Sequence, residues 1–384
     1  MTRWRDILRS EKMGPREHVI TLPGGEAVER QGRSLIVGFP DEKRVVLSSA
    51  NLNGGLLECP KAICNTTGIF VRADDPIIIT DPDEYREYDE ECVTLVGLDP
   101  KRTVALGTGI TMDKAAIVTR TIGRTTVSAV VTAGIEGNGG RAGDPATYDQ
   151  LVEYKVKEGT IVIILLIEAS LPAHSLARAV ITATEAKTCA LQQLMASSVY
   201  SNGIATGTGT DQIAVVCNNG SNIKLTDAGN HSVLGELIGK CVTEAVLKAL
   251  DSWGGLNAIS RRDAMIRLAR YGVKDDDYFA SSDGREREDL MEDLRRTAKN
   301  GEVVAAVASA VHLQDEIEWG LLTEEDGNCV AERILCDLMN KMGVKGPEIE
   351  RNGGIISNAM KALMQIASAD GQTPHTLRKD RTDR

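Results

Sequence analysis

Seven consecutive aliphatic residues at 161–167 restrict the fold of this chain more than any other feature of its sequence. They form the centre of GTIVIILLIEA, which begins at Gly159. The run is far shorter than the roughly 20 apolar residues that span a bilayer, and its length is typical of a β-strand. Because both faces of this strand are apolar, we expect it to be buried on both sides and to lie centrally in a sheet.

Other β-rich runs precede this strand up to about residue 133, and we expect them to form the sheet with it. They are SLIVGF from Ser34, RVVLSSA from Arg44, PIIIT from Pro76, CVTLVG from Cys92, AAIVTR from Ala115 and TTVSAVVTA from Thr125. QIAVVC, which begins at Gln212, predicts a further strand after the apolar run.

Two segments have the apolar spacing of helices, one at 172–195 and one that begins near Ser232. The sequence therefore predicts an α+β (mixed α/β) fold, in which a β-rich sheet core carries two main helices. SWGGLN at 252–257 predicts a linker, and helix formers dominate beyond it. We expect a core domain at 1–255, a smaller all-α domain at 256–370 and a disordered polar tail at 371–384.

The charge balance argues against nucleic acid and anionic membrane surfaces as partners, because 55 acidic and 44 basic residues give a formal net charge of −11. The charged N-terminus has no apolar segment of the kind that directs secretion, so we expect a cytoplasmic protein. The eight cysteines include no C-x-x-C pair, which favours reduced thiols.

The segment SSANLNGG at 48–55 is the first of four polar, glycine-rich segments that can carry chemistry. Asn51 and Asn53 present amide groups, and Gly54 leaves backbone N–H groups open, as an oxyanion site requires. The same letters also predict an ordinary Asn-Gly hairpin turn.

The second segment, TAGIEGNGGRAGDPA from Thr132, imitates the dinucleotide pattern G-x-G-x-x-A. However, Gly143, Asp144 and Pro145 follow where that motif needs a helix, so we reject a nucleotide site. The remaining interpretation is a loop whose Glu136, Arg141 and Asp144 bind a polar substrate edge or a metal. The structural alternative is a surface pair between Arg141 and Asp144.

The third segment, TATEAKT, lies inside the helix predicted at 172–195. At 100° per residue, Glu185 and Lys187 point to opposite sides of that helix and cannot serve one site without distortion. Lys187 lies on the apolar stripe, so it needs a buried partner or loses its charge, unless it snorkels at the rim of the stripe. Glu185 is either functional or an ordinary solvated carboxylate.

The fourth segment is ATGTGTDQ at 205–212, together with TDAGNHS at 226–232. Asp211 is held at the start of a strand, where side chains are well positioned for function. His231 precedes the long helix, for which Ser232 is a predicted N-cap, and a helix N-terminus favours a neutral imidazole that can act as a base or a metal ligand. The alternative is a histidine that closes a loop by hydrogen bonds.

These segments match no standard hydrolase signature, but together they resemble one family. VVLSSANLNGG, VTAGIEGNGGRAGDPA, GTIVIILLIEA, ITATEAKTCALQ, GIATGTGTDQIAV and AGNHSVLGELIGKCV look like the adenosylcobinamide amidohydrolase family in order and spacing, from about residue 34 to 250. The resemblance implies hydrolysis of the amide that joins the corrin side chain to aminopropanol. The products would be adenosylcobyric acid and 1-amino-2-propanol, in cobinamide salvage for cobalamin synthesis.

The resemblance also implies roles for residues in these segments. We expect His231 or Glu185 to activate water, Asp211 to orient its partner, and Lys187 to stabilise negative charge. The residues expected to bind the corrinoid substrate are Asn51, Asn53, Gly54, Glu136, Arg141, Asp144 and Thr208. No cofactor or metal site of the protein itself is expected, since the cobalt enters with the substrate.

Residues 256–370 are weakly similar to the helical phosphatase family that includes phosphatidylglycerophosphatase A and α-ribazole phosphatase. That family's metal-binding acidic cluster has no clear counterpart in SNAMKALMQIAS from Ser357, which favours a structural or dimerising domain and leaves a homo-oligomer open. Three alternatives compete with the main interpretation. They are a non-catalytic corrinoid-binding module, an amidase for another substrate, and a bifunctional chain with a phosphatase activity.

Overall fold

The computed structural model describes residues 3–69, 81–149, 151, 160–280, 286–350 and 353–371. The chain divides into two compact units, Met1–Asn257 and Ala258–Arg384. The strand PIIIT expected from Pro76, and residues 372–384 of the expected tail, lie outside the described residues.

The predicted central strand is confirmed in the first unit. The strands of this unit are β1 (Glu17–Thr21), β2 (Ala27–Gln31), β3 (Ser34–Gly38), β4 (Arg44–Ser48), β5 (Gly55–Glu58), β6 (Ala62–Thr67), β7 (Thr103–Thr108), β8 (Ala116–Ile122), β9 (Thr125–Ala133), β10 (Gly139–Gly140), β11 (Ile161–Ile167), β12 (Gly207–Thr208) and β13 (Gln212–Asn218). Every residue of β11 is buried. It pairs in parallel with β13 and antiparallel with β9, in a six-stranded sheet of order β5-β4-β13-β11-β9-β8.

The expectation of one sheet is wrong, because the strands divide between two large sheets. A five-stranded sheet has the order β1-β2-β3-β6-β7. The two sheets each turn one apolar face inward, and the two faces bury a common core that includes Val37, Ile63, Val162 and Ile164. Alternation along each strand defines the buried face but not which sheet a strand joins.

Helices cover the outer faces of both sheets. The helices of the first unit are α1 (Arg3–Ser10), α2 (Pro82–Leu95), α3 (Ala173–Gln193) and α4 (Val233–Gly254). The helices α3 and α4 share a buried apolar cluster with the six-stranded sheet, whereas Val93 of α2 packs with Ile36 and Cys64 of the five-stranded sheet. The α+β fold with two main helices on a sheet core is therefore confirmed, within an arrangement of four layers.

Two local expectations are corrected. The strand expected from Cys92 is the end of α2, which begins at Pro82 behind an N-cap in which Asp81 accepts a hydrogen bond from Asp83 N. The β-branched residues of CVTLVG favour a strand, but the helix start signals ten residues upstream determine the structure of this segment. The linker expected at 252–257 begins later, because α4 continues to Gly254 and ends at Gly255, whose φ is 66°.

The second unit is helical, as the sequence predicts. Its helices are α5 (Ala264–Ala269), α6 (Asp275–Ala280), α7 (Arg287–Ala298), α8 (Gly301–Glu318), α9 (Glu324–Lys341) and α10 (Ile355–Gly371). A buried ion pair joins Arg270 to Asp315 at 2.7 Å, with each side chain 3% exposed. Across the described part of the chain, no helix has both the length and the apolar character needed to cross a membrane.

Candidate active site

Three of the four polar segments meet at one edge of the six-stranded sheet, and the segment TATEAKT on α3 contributes Lys187 there. The parallel strands β11 and β13 both begin at this edge, and their antiparallel neighbours β9 and β4 both end there. The loop after β4, the glycine-rich segment after β9 and the GTGTD segment before β13 are therefore neighbours. We call this region the sheet-edge site.

A buried ion pair lies at the centre of the sheet-edge site. The ammonium of Lys187, on the buried face of α3, donates to Asp211 Oδ2, and the two side chains are 10% and 17% exposed. Asp211 Oδ1 accepts from Thr208 Oγ1 at 2.6 Å and from Ile161 N at 3.0 Å, and Oδ2 also accepts from Thr208 N at 3.1 Å. With about four acceptor positions on a carboxylate, Asp211 has little capacity left to accept a further proton donor. It is therefore suited to orient Lys187 rather than to act as a base.

Gly207 packs directly against this ion pair. A Cβ at Gly207 would lie 2.6 Å from Lys187 Nζ and would collide with Asp211 Oδ2. Gly207 and Thr208 form β12, which pairs with β10 in the glycine-rich segment. The short β10–β12 ladder thus holds two of the predicted segments together beside the ion pair.

Asp144 fixes the glycine-rich segment in place. Its carboxylate accepts from Arg141 N at 2.7 Å, Ser198 Oγ at 2.6 Å and Ser201 Oγ at 2.5 Å. Burial acts to raise the pKa of Asp144, but the hydrogen bonds from Ser198, Ser201 and Arg141 outweigh it, and the pKa is lowered. The contacts of Asp144 are thus with a backbone amide and two serines, while the side chain of Arg141 is exposed.

Other residues expected to bind substrate have different surroundings. Asn53 adopts a φ of 57°, and its Nδ2 donates to Pro100 O at 2.6 Å and Thr103 O at 2.7 Å, so these carbonyls occupy its amide donors. Asn51 is exposed in the same loop, which connects the antiparallel strands β4 and β5 as a hairpin. Gly54 comes so close to Ala50 O that a Cβ there would collide with it. Glu136 is exposed and accepts from Ile135 N at 3.0 Å.

Glu185 has other contacts than the Lys187–Asp211 pair, and His231 is exposed. As the helical spacing predicts, Glu185 is exposed on α3 while Lys187 is buried. Glu185 Oε2 accepts from Asn230 Nδ2 at 2.7 Å, next in sequence to the exposed His231. Ser232 caps α4 as predicted, since its Oγ accepts from Gly235 N at 3.0 Å. Lys187 and Asp211 are thus in contact with each other, whereas Glu185 contacts Asn230, the residue before His231.

Glu185 faces a groove between α3 and α4, which we call the α3–α4 groove. Its volume is about 850 Å³. Residues of its lining include Glu185, Asn230, Gly239, Lys240, Glu244 and Leu247. Volumes of this size are typical of small-molecule sites.

Sequence reasoning missed two side chains that support the sheet-edge site. Tyr200 OH donates to Asn138 Oδ1 at 2.9 Å, and Asn138 Nδ2 donates to Thr210 Oγ1 at 3.2 Å. Asn138 is only 1% exposed, so this network lies inside the protein. The asparagine within the glycine-rich segment was the one signal in the sequence, because Tyr200 lies 62 residues further along the chain in a stretch that no local pattern identifies.

Within the part of the chain that the structure describes, no group of three or more His, Cys, Asp and Glu side chains is placed to hold a metal ion. The expectation that the protein needs no metal of its own stays a prediction.

Comparison with known proteins identifies a family for the first unit. Residues 20–258 match the CbiZ family, described as adenosylcobinamide amidohydrolase. An uncharacterized protein of Methanocaldococcus jannaschii is 37% identical over 179 residues, which are 43% of this chain and 69% of that protein. The family match does not extend into the helices of the second unit, so the phosphatase likeness of 256–370 stays a prediction.

Two solved structures also share a distant likeness with this chain. They are described as the crystal structure of the PH0078 protein from Pyrococcus horikoshii OT3 and as a Burkholderia sp. beta-aminopeptidase. Each is 15% identical, covers 62% of this chain and 84% of its own, and has a TM-score of 0.31, which is too low to bear on fold or function.

Proposed function

We propose that this chain, which belongs to the adenosylcobinamide amidohydrolase family, hydrolyses the amide between the corrin side chain and aminopropanol in adenosylcobinamide. The products are adenosylcobyric acid and 1-amino-2-propanol. Beyond family membership, one observation supports the proposal. Polar segments that carry the family resemblance, other than the one that holds His231, meet at the sheet-edge site around the Lys187–Asp211 pair.

The proposed chemistry follows from what an unactivated amide requires. Its hydrolysis needs an activated water, positive charge or donors for the tetrahedral oxyanion, and a proton for the leaving amine. Lys187 is proposed to stabilise the oxyanion, because its ammonium has three N–H groups and Asp211 is the acceptor of one. Asp211 holds that ammonium in position, and Thr208 holds the carboxylate of Asp211.

The proton-transfer roles rest on the family resemblance. Glu185 and His231 remain the candidates for the base that activates water, although Glu185 lines the α3–α4 groove and not the sheet-edge site. Asn51, Glu136 and Arg141 are exposed at the sheet edge, where they are proposed to contact the substrate beside the amide that is cleaved. Asn53, Gly54 and Asp144 are proposed to shape the loops that surround the substrate, while Thr208 acts through Asp211.

The test is to incubate the purified, EDTA-treated protein with adenosylcobinamide and to follow both products by mass spectrometry. We expect stoichiometric release of adenosylcobyric acid and 1-amino-2-propanol, and release that is roughly 100-fold slower in Lys187→Met. Lys341→Met is the matched control, since Lys341 is an exposed lysine that pairs with Glu302 on the second unit. Corrinoid binding without products, even after divalent metals are restored, would contradict the proposal and favour a non-catalytic corrinoid-binding module.

A further inference from the structure

A glycine in the middle of α4 has no explanation in the packing of the protein itself. Gly239 lies well inside α4 and lines the α3–α4 groove, yet a Cβ placed on it would meet nothing within 4 Å. Glycine in a helix interior is less favourable than alanine. The helix thus accepts a weaker residue at a position where alanine would fit.

Gly235, one turn earlier, is a glycine that the packing of the protein requires. A Cβ on Gly235 would collide with the carbonyl of Gly229, so the close approach of that loop to α4 requires a glycine. The approach also brings Asn230 within hydrogen-bond distance of Glu185. No neighbouring protein atom requires a glycine at 239. A ligand that packs against the helix backbone at this position would account for it.

The charged side chains of the α3–α4 groove indicate which ligand chemistry it can bind. Among the described residues, Glu236 pairs with Lys240, and Glu244 pairs with Arg120 and Lys248. Glu185 has no cationic partner in that part of the chain, and its single protein hydrogen bond, from Asn230, goes to Oε2. Its Oε1 is therefore open to a hydrogen-bond donor on a ligand.

We propose that the α3–α4 groove binds the amide-bearing edge of the corrinoid. The ring edge lies against the helix backbone at Gly239, and a peripheral carboxamide donates an N–H to Glu185. The apolar side chains of Ala186 and Leu247 line the same groove and contact the ring edge. The identity of the ligand rests on the proposed function, whereas the existence of a site over Gly239 does not.

The ammonium of 1-amino-2-propanol could meet Glu185 with the same donor chemistry, so the experiment uses two probes. Equilibrium dialysis of the full chain is carried out with adenosylcobyric acid, which keeps the peripheral amides but lacks the arm, and separately with 1-amino-2-propanol. Neither probe contains the bond that the enzyme is proposed to cleave. Binding is therefore measured independently of hydrolysis.

The variants are Gly239→Ala, Gly239→Leu and the control Gly301→Ala. Gly301 lies at the start of α8 in the second unit, and a Cβ added to it would likewise meet nothing within 4 Å. Without ligand, Gly239→Ala should raise the melting temperature by roughly 2 °C, because the helix gains a better residue. Affinity for adenosylcobyric acid should fall several-fold in Gly239→Ala and at least tenfold in Gly239→Leu, and stay unchanged in Gly301→Ala.

Unchanged affinity for adenosylcobyric acid in both Gly239 variants would overturn the proposal. So would a loss confined to 1-amino-2-propanol, since the occupant would then be the arm. In Glu185→Gln, affinity for adenosylcobyric acid should fall several-fold in the same dialysis, and unchanged affinity would remove Glu185 from recognition of the ring edge. If no hydrolysis is detected but Gly239→Leu binds adenosylcobyric acid more weakly than the parent protein does, the proposed function fails and the groove proposal stands.

Discussion

The ammonium of Lys187 hydrogen-bonds the carboxylate of Asp211 and so joins the middle of α3 to the residue before β13. Both side chains are largely buried. An unpaired charge in such surroundings is costly. The stability of each charged side chain therefore depends on the other. Removing either member disturbs the other.

The first prediction concerns the Lys187–Asp211 ion pair. Lys187→Met and Asp211→Asn should each lower kcat by roughly 100-fold, because removing one donor to an oxyanion typically costs that much. The double variant should be no worse than the more severe single one, since residues that act as a unit are not additive. Steady-state kinetics tests this, with circular dichroism to confirm folding. Fully multiplicative losses would show that the two residues act separately.

The second prediction compares two glycines of the same segment. Gly207→Ala places a methyl group against Lys187 and Asp211, so it should separate the pair and lower both kcat and thermal stability. Gly209→Ala is the control, because its nearest neighbour, Asn138 Oδ1, would be 3.4 Å away, an ordinary contact. Equal activity in the two variants would argue against a role for the packed ion pair.

The third prediction separates the candidates for the base. If His231 activates water, His231→Ala should lower kcat by roughly 100-fold, within the usual contribution of general-base catalysis, while Glu185→Gln affects mainly KM. Rapid-quench measurement of a single turnover distinguishes chemistry from product release. Should His231→Ala, Glu185→Gln and Asp211→Asn all keep turnover within a few-fold of the parent, the assigned catalytic roles are wrong.

The fourth prediction concerns pH and the end of β11 opposite the sheet-edge site. Burial, and then the neighbouring Glu26 carboxylate, raise the pKa of Glu168. The folded protein thus binds a proton that the unfolded chain releases, so the stabilisation is present below the unfolded pKa of about 4.3 and is lost as pH rises through the folded pKa. Glu168→Gln should increase the free energy of unfolding at pH 7 but not at pH 3.

Urea unfolding across that pH range measures this effect. Glu58→Gln serves as the matched control, because Glu58 is exposed on β5. A Glu168→Gln protein that loses stability equally at pH 3 and pH 7 would show that the carboxylate makes a contact that the amide cannot replace.

The fifth prediction concerns the second unit. Asp315→Asn should reduce the free energy of unfolding by about 3–5 kcal/mol, because it leaves the buried Arg270 without its counter-charge. Glu302→Gln, which removes the exposed partner of Lys341, should change it by less than about 1 kcal/mol. Equal effects of the two substitutions in chemical denaturation would contradict the difference expected from burial.

Periodicity predicted those parts of the fold in which one face of an element is apolar. The burial of β11, the course of α4 and the opposite directions of Glu185 and Lys187 all follow from it. It failed for CVTLVG, whose β-branched residues predict a strand although the segment ends a helix that starts at Pro82 behind the N-cap Asp81. It also gave no assignment to the two sheets, which depends on contacts between strands far apart in sequence.

The sheet-edge site was predictable only in its parts. The apolar stripe showed that Lys187 needs a partner, and the strand end showed that Asp211 is held in place, but no spacing rule joins residues from different elements. Asn138 and Tyr200 illustrate the same limit, since each is an ordinary loop residue until the fold brings them together. Burial and hydrogen bonding are properties of the folded chain.

The central strand also has a consequence for the synthesis of this protein. Val162 of β11 finds its parallel partner only at Gln212, and β13 in turn completes the sheet with β4. Until the ribosome has passed β13, the emerging chain carries IVIILLI without a neighbour on that side, and an uncharged, proline-free aliphatic heptapeptide is prone to intermolecular aggregation. The rate of translation between these two strands, together with chaperone supply, should therefore govern the soluble yield more than the stability of the finished sheet does.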